Sequence, residues 1–98
     1  MGTIQHNVVV ATTWDKKEFY KVIDWVLAVD PEYRRLFVWS NSIVNNYHTV
    51  VMCPDGSKLG WKTCDEAQVL RENFIKELGN HWKYTTLSYG ELGTSLEL

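Results

Sequence analysis

The residue types of phosphate chemistry gather in one stretch, Cys53-Pro54-Asp55-Gly56-Ser57-Lys58-Leu59-Gly60-Trp61-Lys62-Thr63. Glycines let backbone N–H groups approach an anion, lysines neutralise it, and Ser or Thr hydroxyls bond its oxygens. The spacing of a P-loop is nevertheless not met, because Trp61 stands where a glycine five after Gly56 is required and the closing Gly-Lys-Ser/Thr run is broken. Asp65 and Glu66 follow at the predicted helix start, where their carboxylates compete with an incoming anion for the helix dipole. The stretch reads first as a turn, Pro54-Asp55-Gly56-Ser57, that ends one strand and leads into a helix with a Thr63…Glu66 capping box. Lys58 and Lys62 could still reach a phosphate from the side.

Other chemistry is scattered. His6, His48 and His81 occur singly, and Cys53 and Cys64 lie eleven positions apart, which fits neither a zinc knuckle nor a disulfide framework. No metal or cofactor is expected, and the cysteines read as reduced structural thiols. Asp15, Asp65 and Glu66 are better explained as helix caps than as acid/base groups. An enzymatic role on a nucleotide or phosphoester would have to rest on Asp55 or His48, with no convergent partner set in view.

The five tryptophans, Trp14, Trp25, Trp39, Trp61 and Trp82, are the least ordinary feature of a chain of 98 residues. Indole combines a large apolar area with an N–H that seeks a partner, which suits small cores and binding surfaces alike. Trp14 and Trp61 are expected to be exposed, each following a strand-to-helix junction. With both junctions at the same edge of a sheet, Thr12, Thr13, Trp14, Asp55, Ser57, Lys58 and Trp61 would line a shared ligand pocket.

The elements that must position these residues follow from pattern. Residues 6–13 are β-rich and nearly continuously apolar. Asp15 with Glu18 predicts a helix starting at about Lys16 and ending at Asp30-Pro31; its apolar arc is widened by Tyr20, Val22 and Trp25 to pack on a second helix or on another subunit. Residues 36–39 and 47–52 read as a hairpin whose turn falls between Asn41 and Asn46. A helix with Ala67, Leu70, Phe74, Ile75 and Leu78 inward and Arg71 outward ends at Gly79 as a left-handed cap. Residues 82–89 give the last strand, and 90–98 a tail without assigned meaning.

The order β-α-β-β-α-β predicts an α+β domain of the ferredoxin-like split βαβ type: a four-stranded antiparallel sheet, order 4-1-3-2, with two helices on one face. Trp39, Tyr47 and Tyr84 are candidates for the other face, where aromatic side chains can stack bases. No RNP1-like run accompanies them, and burial of that face in a dimer is the stronger expectation.

Ten basic against twelve acidic residues, a formal charge of −2, remove the general attraction to nucleic acid or anionic lipid that a basic domain has. No segment approaches the roughly 18 apolar residues of a membrane span. A soluble, cytoplasmic protein is expected.

The opening Met1-Gly2-Thr3-Ile4-Gln5-His6-Asn7, the strand ending Thr-Thr-Trp-Asp, the Pro54-Asp55-Gly56-Ser57-Lys58 turn with Gly60-Trp61 and the closing Tyr89-Gly90 resemble a group of short uncharacterised proteins from bacteriophage and prophage genomes. The likeness covers most of the chain. It implies a phage accessory role in the host cytoplasm, exerted without catalysis by binding a host defence protein or sequestering a small nucleotide-derived signal. The alternative reading is a structural module that self-associates as a homodimer.

Overall fold

The run of β-branched residues near the N-terminus forms β1 (Gln5–Thr13), the middle of one antiparallel sheet. The computed structural model describes residues 3–97. After β1 come α1 (Lys16–Leu27), α2 (Pro31–Arg34), β2 (Phe37–Asn41), β3 (His48–Met52), α3 (Lys62–Glu77), β4 (Trp82–Gly90) and β5 (Ser95–Glu97). The strands lie in the order β2-β3-β1-β4-β5. The α+β class is as expected, but among the described residues there are five strands and three helices, not four and two.

Both additions have local causes. Asp30-Pro31 does follow the end of α1, yet it also opens α2: Asp30 accepts a hydrogen bond from Glu32 N at 2.9 Å and Pro31 occupies the first turn. The expected tail folds back because Gly90 (φ 144°) and Gly93 (φ 97°) adopt backbone conformations that side chains resist. A Cβ on Gly90 would stand 2.7 Å from the Ile4 carbonyl oxygen. Gln5 secures this turn, donating to Ser88 Oγ and the Gly93 carbonyl, each at 2.9 Å, and accepting from Leu92 N at 3.0 Å.

Register divides the sheet into two unlike faces. Val9, Ala11 and Thr13 of β1 align with Met52, Val50 and His48 of β3, and Met52 with Phe37 of β2. These side chains are buried together with Phe19, Val22, Ile23 and Val26 of α1 and Phe74 of α3, so α1 and α3 cover the same face. Trp25 stacks on Phe74 with ring centroids 6.0 Å apart and meets Phe37 edge-on at 5.9 Å, so the Trp25 part of the widened arc packs on α3 within the chain, while Tyr20 of the same arc is 53 % exposed. Tyr33 of α2 donates to a Glu66 carboxylate oxygen of α3, which brings α2 to the same side. The alternate positions, Val8, Val10 and Thr12 of β1 among them, look the other way.

Several local expectations are corrected. Asp15 does cap α1, accepting from Lys17 N at 3.0 Å and Glu18 N at 3.4 Å. The Thr63…Glu66 box does not form: α3 starts at Lys62 with Trp61 as a cap that makes no side-chain bond. Gly79 is not a left-handed cap, since Leu78 ends the helix in extended conformation. Asn45 and Asn46 do carry the positive φ of the hairpin turn. Trp39 pairs with Val50 and Ala11 with Tyr84, which puts both aromatics on the helix side and removes them from the open face. Tyr47 lies outside the strands, in the hairpin connection.

Candidate functional site

The seven residues expected to share a pocket are split between opposite ends of the sheet. Because β1 and β3 are antiparallel, the exit of β1 at Thr13 lies opposite the entrance of β3 at His48, while Met52 lies opposite Val9. Four residues at about 3.4 Å each already separate the two exits by roughly 14 Å. Thr12, Thr13 and Trp14 therefore sit at one end and Asp55, Ser57, Lys58 and Trp61 at the other.

At the Thr13 end, α1 begins immediately after β1, and Asp15 must turn back to cap it. Thr13 is buried and its hydroxyl both donates to the His81 carbonyl at 2.8 Å and accepts from Asp15 N at 3.1 Å. That pair of bonds fastens the β1 exit to the residue before β4. His81 Nδ1 then meets Asp15 Oδ2 at 2.7 Å, an ion pair whenever the imidazole carries its second proton. The hydrogen bond from His81, aided by the Glu18 and Lys17 amides, holds the Asp15 carboxyl below its usual value. Trp14, 61 % exposed, lies over the His81 ring with centroids 5.5 Å apart.

His48 completes this end from β3. Its ring stacks on Phe19 at 4.4 Å, and its Nδ1 approaches Asn41 Oδ1 at 2.6 Å. With the amide oxygen as acceptor, Nδ1 donates and the neutral ring keeps Nε2 as an acceptor. A cleft of about 470 Å³ opens here, lined by Trp14, Lys16, Tyr20, Asn41, Asn46 and His48. Two exposed aromatic rings, a lysine, two amides and an imidazole offer stacking, charge and in-plane hydrogen bonds together. Thr12 faces the opposite side of the sheet, its hydroxyl 3.0 Å from that of Thr49.

The other end spends its polar groups inward. Ser57 donates to an Asp55 carboxylate oxygen, and both side chains are buried. Asp55 Oδ1 lies 3.6 Å from Arg71 Nη1, close enough for strong attraction but beyond hydrogen-bond reach, while Arg71 Nε and Nη2 fork onto Gln68 Oε1 at 3.1 and 3.0 Å. Arg71 was expected outward and is 4 % exposed. Ala67, Arg71 and Phe74 recur at i, i+4 and i+7, so the helical period itself carries it inward. Lys58 pairs its backbone with Ile4, and its ammonium sits 5.7 Å from the Trp61 ring centre, as the Lys16 ammonium sits 5.8 Å from that of Tyr20 at the Thr13 end. A second cleft of about 320 Å³ between α3 and β1 and β4 is bordered by Arg71, Gln68 and Glu72.

Among the described residues, no group of three or more His, Cys, Asp or Glu side chains is arranged to hold a metal ion. Cys53 and Cys64 are free thiols. No helix among the described residues is long and apolar enough to cross a membrane.

The chain matches no described protein family, no curated protein and no solved structure. The case for the Thr13 end thus rests on its geometry. Sequence reasoning named Trp14 for a ligand pocket and His48 only for an enzymatic role, and did not single out Asn41, Asn46, Lys16 or Tyr20 for either. The available signal was the hairpin: once Asn45-Asn46 is taken as its turn, antiparallel pairing brings His48 beside the end of β1.

Proposed function

We propose that this protein acts by binding, and that it takes a planar, anionic, nucleotide-like molecule in the cleft between Trp14, Lys16 and His48. The observation that carries this reading is the composition of that cleft. Trp14 and Tyr20 present exposed rings for a base, the Lys16 ammonium stands 5.8 Å from the Tyr20 ring centre, and Asn41, Asn46 and His48 supply directional donors and acceptors. His48 and Asn41 are already held by each other and by Phe19, so their presentation is fixed before a ligand arrives. In the phage accessory role that the sequence resemblance suggests, such capture would withdraw a nucleotide-derived signal from the host. The strand order β2-β3-β1-β4 supports a ferredoxin-like split βαβ reading up to Gly90, with α2 and β5 as additions.

Titration calorimetry with a panel of linear and cyclic nucleotides tests this. Stacking on an aromatic side chain contributes about 1–3 kcal/mol per base. Affinity should therefore fall about tenfold or more in Trp14→Ala and Lys16→Ala and stay unchanged in Trp61→Ala. A panel that gives no binding heat, or a loss that follows Trp61, overturns the reading.

A further inference from the structure

The sheet face turned away from the helices has an apolar middle, flanked by His6, Thr12, Ser40, Thr49 and Thr85, and is nearly uncharged. Val38, Val51 and Val10 align across β2, β3 and β1 in one row, and Val8, Leu87 and Leu96 across β1, β4 and β5 in the next. Val38 and Leu96 are 52 % and 56 % exposed. Lys83, opposite Thr12 near one end, is the charged side chain that the strand register places on this face among the described residues. The outer faces of α1 and α3, by contrast, carry exposed Lys16, Lys17, Lys21, Asp24, Glu72 and Lys76.

We propose that a second copy of this chain covers this face, so that two sheets pack face to face with the helices outermost. Three observations select that occupant. The first is charge: an isologous contact sets the patch against itself, and a centre built from valines and leucines brings no like charges together. The second is size. The register gives the face thirteen outward positions, four each on β1 and β4, two each on β2 and β3 and one on β5, which at about 4.8 by 6.8 Å apiece project roughly 420 Å² before side-chain relief, about half of the ~800 Å² per partner that a standard interface buries. The third is polar satisfaction: Thr12 and Thr49 already bond each other at 3.0 Å, so covering them strands neither hydroxyl. A flat surface of β-branched residues is also what sheet-on-sheet packing at about 10 Å requires. The Trp14 cleft involves α1 and the hairpin on the helix side, so each dimer keeps two open clefts.

Sedimentation velocity and native mass spectrometry of the intact chain between about 1 and 100 µM decide this. The expected species is twice the 11.4 kDa chain mass, dissociating on dilution. The double variant Val38→Lys with Leu96→Lys should be monomeric throughout, with an unchanged circular-dichroism spectrum, because both positions are more than half exposed. Leu27→Lys with Val69→Lys, exposed positions on the helices, should remain dimeric. A wild-type chain that is monomeric at the highest concentration overturns the proposal. So does a dimer that survives charges on the sheet face, or one that only the helix variant dissociates.

Discussion

The two ends of the sheet carry opposite relations between residue type and use. The loop after β3 holds the lysines, glycines and hydroxyls of an anion site, yet Ser57 bonds Asp55 and Asp55 faces Arg71, with all three side chains buried. The junction after β1 carries no motif, yet an indole, a lysine, amides and an imidazole surround an open cleft there. Composition records which groups are present; topology decides which of them still have a free side. A tightly bonded polar cluster is a structural joint, and a loosely occupied one is a place where a ligand can compete.

The sharpest way to break this comparison is to attack the joint. Removing one partner of a buried ion pair costs about 3–5 kcal/mol, because the other charge is left without compensation. Arg71→Met should lower the unfolding free energy extrapolated from urea denaturation by an amount of that order, and the double variant with Asp55→Ala should recover part of it. If either single variant is neutral in urea denaturation, the loop after β3 is freer than its contacts indicate.

A smaller effect separates the ends through acid. Asp15 has an ordinary value of 3.8 that His81 and two backbone amides lower in the folded protein. A depressed carboxylate stabilises the fold above its unfolded value, and that contribution disappears as pH falls through the lower folded value. The melting temperature of the wild type should therefore drop more steeply below about pH 4 than that of Asp15→Asn, whose amide has no proton to take up in this range. Equal slopes in the two melting series would mean that the Asp15–His81 contact does not persist in solution.

The smallest effect lies where α2 meets α3. The Glu66 carboxylate beside Tyr33 pushes its phenol up from 10.0 to about 12. A raised folded value contributes stability that is complete below the unfolded value and is lost as pH rises through the folded one, here between about pH 10 and 12. Absorbance near 295 nm should show one of the five tyrosines ionising after the rest. That late step should vanish in Tyr33→Phe.

Much of the fold was legible because local signals agreed. Asp15 announced α1 to the residue, and Asn45-Asn46 carried the hairpin turn. What failed did so for identifiable reasons. Arg71 reads as a surface residue by type, and only the i, i+4, i+7 spacing with Ala67 and Phe74 places it inside. Thr63 and Glu66 have the letters of a capping box, but Glu66 is drawn to Tyr33 and Lys62 and the helix begins two residues earlier, with Trp61 rather than Thr63 as its cap. Of the six residues that line the proposed cleft, the sequence reading assigns only Trp14 to a ligand pocket. The error was pairing it with Trp61, because two strand exits share an end only if the strands run parallel, and β1 and β3 do not.

The three residues of β5 have a consequence out of proportion to their length. Without them β4 would present a nine-residue edge whose free N–H and C=O groups could template pairing with any extended chain, the usual route to aggregation. With them, the Thr86–Ser88 stretch of that edge is paired, beside a glycine turn that Gln5 ties to β1, and the strand edge is shortened accordingly. The latch of this turn is Gly90, where, unlike at the other described glycines, even a methyl group would strike the neighbouring backbone.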